Sequence, residues 1–107
     1  MATPTLDNFQ VIGDPSHRKM LMLLSEDSLT INNLGGHFDM SRPAVSKHMK
    51  ILETAGFISI QDLGRERYCS LKKDGFEELQ NWLAYFDHFW ASKLRKLEEL
   101  LNNKLPN

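Results

Sequence analysis

The residues whose chemistry stands out in this chain are basic side chains, and they are concentrated in its middle third. Residues 41–73 carry seven Lys and Arg against three Asp and Glu, whereas residues 1–40 and 74–107 are each net acidic. The chain as a whole has a net charge of −1. A basic region inside an otherwise acidic protein is typical either of an ordinary solvated face or of a surface that binds a polyanion such as nucleic acid.

The first basic cluster lies on a predicted helix over residues 41–54. Val45, Met49 and Leu52 recur at helical spacing and form its apolar stripe, so the basic side chains lie on another face. A helix that reads the major groove of DNA contacts bases from its first two turns. Arg and Ser there can reach base edges, Ser at the helix start suits a phosphate, and Lys neutralises phosphates of any sequence. We therefore expect contacts to DNA from Ser41, Arg42, Ser46, Lys47 and Lys50.

A second basic cluster follows on a predicted β-hairpin. Two alternating segments, 57–61 and 68–71, flank the loop DLGRER over residues 62–67, in which Arg65 and Arg67 are the basic residues. A helix-turn-helix at about 30–55 followed at once by a hairpin at about 57–71 is a winged helix. The predicted fold is thus mainly α with a small β-hairpin (α+β), and the whole chain is expected to be one domain.

The last predicted element is one long helix over residues 74–103 with a wide apolar stripe. Seven of its eight heptad a and d positions are apolar, and further aromatic and Leu residues lie beside them. Such a stripe is covered by a second copy of the chain, by the chain's own core, or by a small molecule in a pocket lined by Trp82, Phe86, Phe89 and Trp90. Of these we favour dimerisation. The predicted dimer interface consists of Leu6, Phe9, Leu79, Trp82, Leu83, Phe86, Phe89, Trp90, Leu94 and Leu97.

The segment SRPAVSKHMKILETAGFISIQDLGRERYCSL resembles the ArsR-type family of bacterial winged helix-turn-helix transcriptional regulators, as does the upstream GDPSHRKMLMLLSEDSLTINNL. The resemblance implies a homodimeric DNA-binding regulator, usually a repressor, that recognises an imperfect inverted repeat near its own promoter. By position it adds Pro43 to the recognition helix and Gly64 to the wing. The set of expected DNA-binding residues is then Ser41, Arg42, Pro43, Ser46, Lys47, Lys50, Gly64, Arg65 and Arg67.

The metal sites that the resemblance implies are missing from this sequence. The stretch 31–36 holds no Cys-x-Cys pair, and on the last helix Asp87 and His88 are adjacent and no histidine follows them. The four histidines lie on four different predicted segments, and we expect His48 to support the recognition helix. Cys69 is interpreted as a buried structural thiol, although a redox switch is the alternative. We expect no metal and no cofactor, and the inducing ligand is unknown.

No arrangement of residues in the sequence points to catalysis, because it contains no phosphate-binding glycine loop, HExxH motif or nucleophile elbow. With a single cysteine and no membrane-spanning or signal-peptide pattern, the chain is expected in the cytoplasm. Two hypotheses remain. The first is a sequence-specific DNA-binding transcriptional regulator, a homodimeric repressor that binds double-stranded DNA. The alternative is a winged-helix protein-interaction module whose aromatic C-terminal helix pairs with another protein.

Overall fold

Side-chain caps fix where the first four helices begin. The computed structural model describes the backbone of residues 6–104 and the side chains of residues 6–103. The capping oxygens of Asp7, Asp14, Thr30 and Ser41 each accept a hydrogen bond from a backbone N–H in the first turn of the helix that follows. The elements are α1 (Asn8–Gly13), α2 (Pro15–Glu26), β1 (Leu29–Thr30), α3 (Ile31–Gly35), α4 (Arg42–Thr54), β2 (Ile58–Leu63), β3 (Glu66–Leu71), α5 (Asp74–Ala84) and α6 (Asp87–Lys104). The chain is mainly helical with one small sheet, as predicted.

The sheet is antiparallel and contains one strand more than the sequence predicted. Its order is β1-β3-β2, with Leu29 opposite Cys69 in the added pair. Strand β1 has only two residues, and its pairing depends on β3, about forty residues further along the chain. Because β1 runs directly into α3, this pairing attaches the start of the helix-turn-helix to the wing hairpin.

The core lies where α2, α3 and α4 pack against the sheet. Val45, Met49 and Leu52, the predicted inward stripe of α4, are buried. Phe57 and Cys69 are buried with them. Gly56 has φ +82, a backbone conformation that favours glycine, and allows the chain to turn out of α4 into β2. The core therefore buries the apolar side of α4 and leaves its basic side exposed.

The C-terminal helix is bent instead of continuous. It ends at Ala84 and resumes at Asp87, so that α5 packs on the body while α6 extends beyond it. The molecule measures 71 × 37 × 24 Å with a radius of gyration of 20.2 Å, against about 13 Å for a compact chain of this length. None of the described helices is long and apolar enough to cross a membrane.

Candidate nucleic-acid interface

All six residues predicted on the recognition helix are exposed. Ser41 is the N-cap of α4, and its hydroxyl accepts a hydrogen bond from the Ala44 N–H at 3.3 Å. Arg42 and Pro43 form the first turn, and Ser46, Lys47 and Lys50 continue the same side. A helix that is basic outside and apolar inside has the surface needed to lie in the major groove.

The wing joins this surface through a groove of about 340 Å³ between α4 and the hairpin. Its basic lining comes from Arg42 of α4 and from Arg65 and Arg67 of the wing, with Ser46 beside them. Two clusters that are separated by some twenty residues in the sequence thus face one space. This convergence is the main feature of the candidate site, because one phosphate backbone can contact both clusters at once.

The wing tip is a two-residue hairpin turn. Leu63 pairs with Glu66, which leaves Gly64 and Arg65 as the turn residues. Gly64 has φ +66, and two-residue hairpin turns use glycine at this first position. The turn places Arg65 at the tip of the hairpin, where its side chain is exposed and lines the groove shared with α4.

The basic residues of the site differ in how far they are already neutralised. The Lys50 Nζ lies 3.3 Å from the Glu53 carboxylate, and the Arg67 Nε lies 3.1 Å from that of Asp62. In contrast, no carboxylate among residues 6–103 forms an ion pair with Arg42, Lys47 or Arg65. These three cations are therefore the ones available for phosphates or bases without breaking an existing pair.

Sequence reasoning missed three polar residues that line the groove, namely Thr30, Asn32 and the acidic Glu66. Asn32 is exposed on α3 and lines the same space as Arg42 and Arg65. Its amide both donates and accepts hydrogen bonds, so it suits a phosphate or a base edge. No charge or spacing signal in the sequence marks it, because only the fold brings α3 to the wing.

Cys69 is a buried thiol and not an exposed reactive group. Its side chain lies in the core beside Met49, with the two sulfur atoms 3.8 Å apart. Burial, together with the nearby Glu53 carboxylate and against the opposing effect of Arg67, raises the pKa of Cys69 to about 11. The thiol is therefore protonated at neutral pH and is a poor nucleophile.

The residues predicted for dimerisation form an apolar surface that one chain leaves mostly uncovered. Trp82, Phe89, Trp90, Leu94 and Leu97 are between 49% and 65% exposed. Leu6, Phe9 and Leu83 are also exposed, while Leu79 and Phe86 are half-buried. The Phe9 and Trp82 rings are 5.4 Å apart, so α1 and α5 contribute to one continuous surface. Because its aromatic residues are about half exposed, one chain alone does not close them into a ligand pocket.

Comparison with known proteins places these features in a family. The model of the family described as "Bacterial regulatory protein, arsR family" matches residues 14–59. The transcriptional repressor SdpR of Bacillus subtilis is 36% identical over 78 residues, which cover 73% of this chain and 87% of SdpR. The HTH-type transcriptional regulator Rv2034 of Mycobacterium tuberculosis is 29% identical over 96 residues, covering 90% of this chain and 87% of that protein.

Solved structures agree with this placement. The crystal structure of the ArsR family transcriptional regulator RHA00566 has a TM-score of 0.73 and 36% identity, covering 79% of this chain and 88% of that one. That of a possible transcriptional regulator for arsenical resistance has a TM-score of 0.68 and 35% identity, covering 94% and 99%. The winged helix is thus shared over most of each chain.

This chain belongs to the ArsR family of bacterial regulatory proteins. It is a DNA-binding transcriptional regulator, which decides between the two hypotheses drawn from the sequence. Regulators of this family are not enzymes, in agreement with the prediction.

Proposed function

We propose that the protein is a homodimeric repressor that binds an inverted-repeat operator through α4 and the wing. The observation that carries the proposal is the single exposed groove shared by Arg42 and Ser46 of α4 and Arg65 and Arg67 of the wing. In this arrangement α4 enters the major groove while the wing contacts the neighbouring backbone. The repressor role is supported by the relative SdpR, whose name describes it as a repressor.

The proposed roles of the DNA-binding residues follow from their positions. Arg42 and Ser46, at the start of α4, contact base edges, since the first turns of a recognition helix lie deepest in the groove. Ser41, Pro43, Lys47 and Lys50 position the helix on the backbone, and Gly64 shapes the turn that presents Arg65 and Arg67. Base contacts set the sequence that is recognised, whereas phosphate contacts set the affinity for any sequence.

The dimer is proposed from the exposed apolar surface of α1, α5 and α6. Among the described elements α6 packs chiefly against its neighbour α5, and its apolar side chains are otherwise exposed. Contiguous apolar surface of this extent is rare on monomers and is removed from water by a second copy. Twofold symmetry then places two α4 helices about one DNA turn apart, so the operator repeats its sequence in inverted orientation. The regulator acts in the cytoplasm, where bacterial DNA lies.

The test compares three proteins for DNA binding. Arg42→Ala/Lys47→Ala removes two cations that make no ion pair in the described chain. Arg95→Ala/Lys96→Ala removes the same charge from α6, which contributes no residue to the lining of the groove. We expect the first variant to bind a specific operator at least about tenfold more weakly while remaining dimeric, because removing one base or phosphate contact costs about 1–3 kcal/mol.

The control variant is expected to bind like the wild type. Equal DNA affinity of the wild type and Arg42→Ala/Lys47→Ala rejects α4 as the reading helix. Equal losses of affinity in both variants show an effect of net charge alone and reject the assigned contacts.

A further inference from the structure

Two histidines that are 31 residues apart in the sequence meet between α2 and α4. The Nε2 atom of His17 lies 2.8 Å from the Nδ1 atom of His48. A carboxylate oxygen of Asp14, the residue that caps α2, is 3.8 Å from the same Nε2 atom. One ligating atom from each of the three side chains lies within 4.8 Å of the others. The sequence does not predict this contact, because no helical or strand spacing connects the two histidines.

The orientation of His17 is fixed by the backbone. Its Nδ1 atom is 2.8 Å from the carbonyl oxygen of Val11. A carbonyl oxygen only accepts hydrogen bonds, so Nδ1 carries the proton of the neutral ring and Nε2 has a lone pair. That lone pair faces Nδ1 of His48, so the 2.8 Å contact is a hydrogen bond when His48 carries its proton on Nδ1. His17 itself is 3% exposed, so its ring is held by the surrounding core.

This is the arrangement by which proteins hold a metal-binding histidine. Such a histidine donates one ring N–H to a backbone carbonyl or carboxylate and presents the other nitrogen to the ion. Asp14 is similarly held, because one of its oxygens accepts the Ser16 N–H at 2.8 Å and the other is directed to the cluster. Asp14 and His48 are half-buried, which leaves a side open to water.

We propose that Asp14, His17 and His48 form a binding site for a divalent first-row transition metal of the Zn²⁺ class. Two imidazole nitrogens and one carboxylate oxygen are typical ligands of such ions, and a water molecule completes the tetrahedron. Bonds of about 2.0–2.1 Å require each pair of ligand atoms to be roughly 3.3 Å apart. Metal binding therefore moves His48 Nδ1 outward from its present 2.8 Å and brings the Asp14 oxygen closer than its present 3.8 Å from His17 Nε2. The proton on His48 Nδ1 then moves to Nε2, and the ring stays neutral.

The site joins the start of α2 to the middle of α4, so an ion there connects the body of the protein to the recognition helix. It lies at neither of the two positions that the family resemblance implied. One consequence rests on the proposed function, namely that metal binding alters DNA affinity by shifting α4. The metal site itself does not depend on DNA binding, and it is tested without DNA.

The test is a titration of the untagged protein with Co²⁺ near neutral pH, followed by displacement with Zn²⁺. Tetrahedral Co²⁺ with nitrogen and oxygen ligands gives an intense visible absorption that octahedral aqueous Co²⁺ lacks. His48→Gln keeps a donor toward His17, and Asp14→Asn keeps the helix cap, so both are expected to fold. The matched controls are His37→Gln and His88→Gln, which change exposed histidines outside the cluster.

We expect the wild type and both controls to bind one equivalent of Co²⁺ per chain with the tetrahedral spectrum. His48→Gln and Asp14→Asn are expected to bind at least about tenfold more weakly, since even the groups around a metal ligand are worth that much. Absence of the spectrum in the wild type overturns the proposal. So does unchanged affinity in His48→Gln, or an equal loss of affinity in His37→Gln, since either result places the ion elsewhere.

Discussion

Trp90 on α6 provides the sharpest test of the proposed dimer. Its side chain is 60% exposed in one chain. A Trp side chain buries up to about 250 Å², so roughly 150 Å² is available to a partner, worth about 4 kcal/mol at ~25 cal/mol per Å². Alanine retains about a third of this stabilisation, and a symmetric dimer contains the residue twice. If the partner covers half of the available area of each Trp90, the Trp90→Ala substitution destabilises the dimer by about 2.5 kcal/mol.

A loss of this size raises the dimer dissociation constant by at least about 50-fold. Sedimentation velocity over a range of protein concentrations measures it, with circular dichroism to verify that the variant is folded. The matched control is Met22→Ala, because Met22 is 69% exposed on α2 and lies outside the apolar surface of α6. A wild type that stays monomeric at high concentration refutes the reasoning, as does a Trp90→Ala variant that dimerises as tightly as Met22→Ala.

Three further results are expected. Lys47→Ala should lower the slope of log affinity against log salt concentration by about 0.9 for each phosphate that the side chain neutralised. Lys50→Ala should lower this slope by less, because Glu53 pairs with Lys50. Equal slopes for the two variants, measured by fluorescence anisotropy, contradict this prediction. Gly75→Ala should lower the free energy of unfolding in urea by about 1–3 kcal/mol, since the added Cβ lies 2.8 Å from the Phe57 ring. The control is Gly13→Ala, whose added Cβ has open space around it. Equal stability of the two variants contradicts this prediction. Cys69 should resist alkylation in the folded protein, and fast labelling without unfolding contradicts this. The free energy of unfolding should also fall as pH rises above the pKa of the thiol in the unfolded chain, because the pKa in the folded protein is raised to about 11.

Features set by local chemistry could be predicted from the sequence. The helix starts at Asp14-Pro15 and Ser41 depend on a cap and a few neighbouring N–H groups, all within one turn. The buried stripe of α4 follows from the spacing of its apolar residues, and Gly56 ends the helix because it takes a positive φ. The exposed basic side of α4 is then the remaining face.

Features set by long-range packing could not be predicted. The two residues of β1 are too few for an alternating pattern, and their pairing depends on β3. The sequence does not indicate the bend between Ala84 and Asp87, because the apolar heptad pattern continues through it. The contact of His17 with His48 requires α2 and α4 to pack together, which no spacing rule within one element describes.

The most direct test of the central conclusion is binding of the purified protein to the DNA upstream of its own gene, with excess nonspecific competitor, at two salt concentrations. We predict binding that resists the competitor, occurs as a dimer on one inverted repeat, and weakens with salt as several phosphate contacts require. Equally weak binding to every sequence at both salt concentrations contradicts an autoregulating repressor that reads its operator through α4 and the wing.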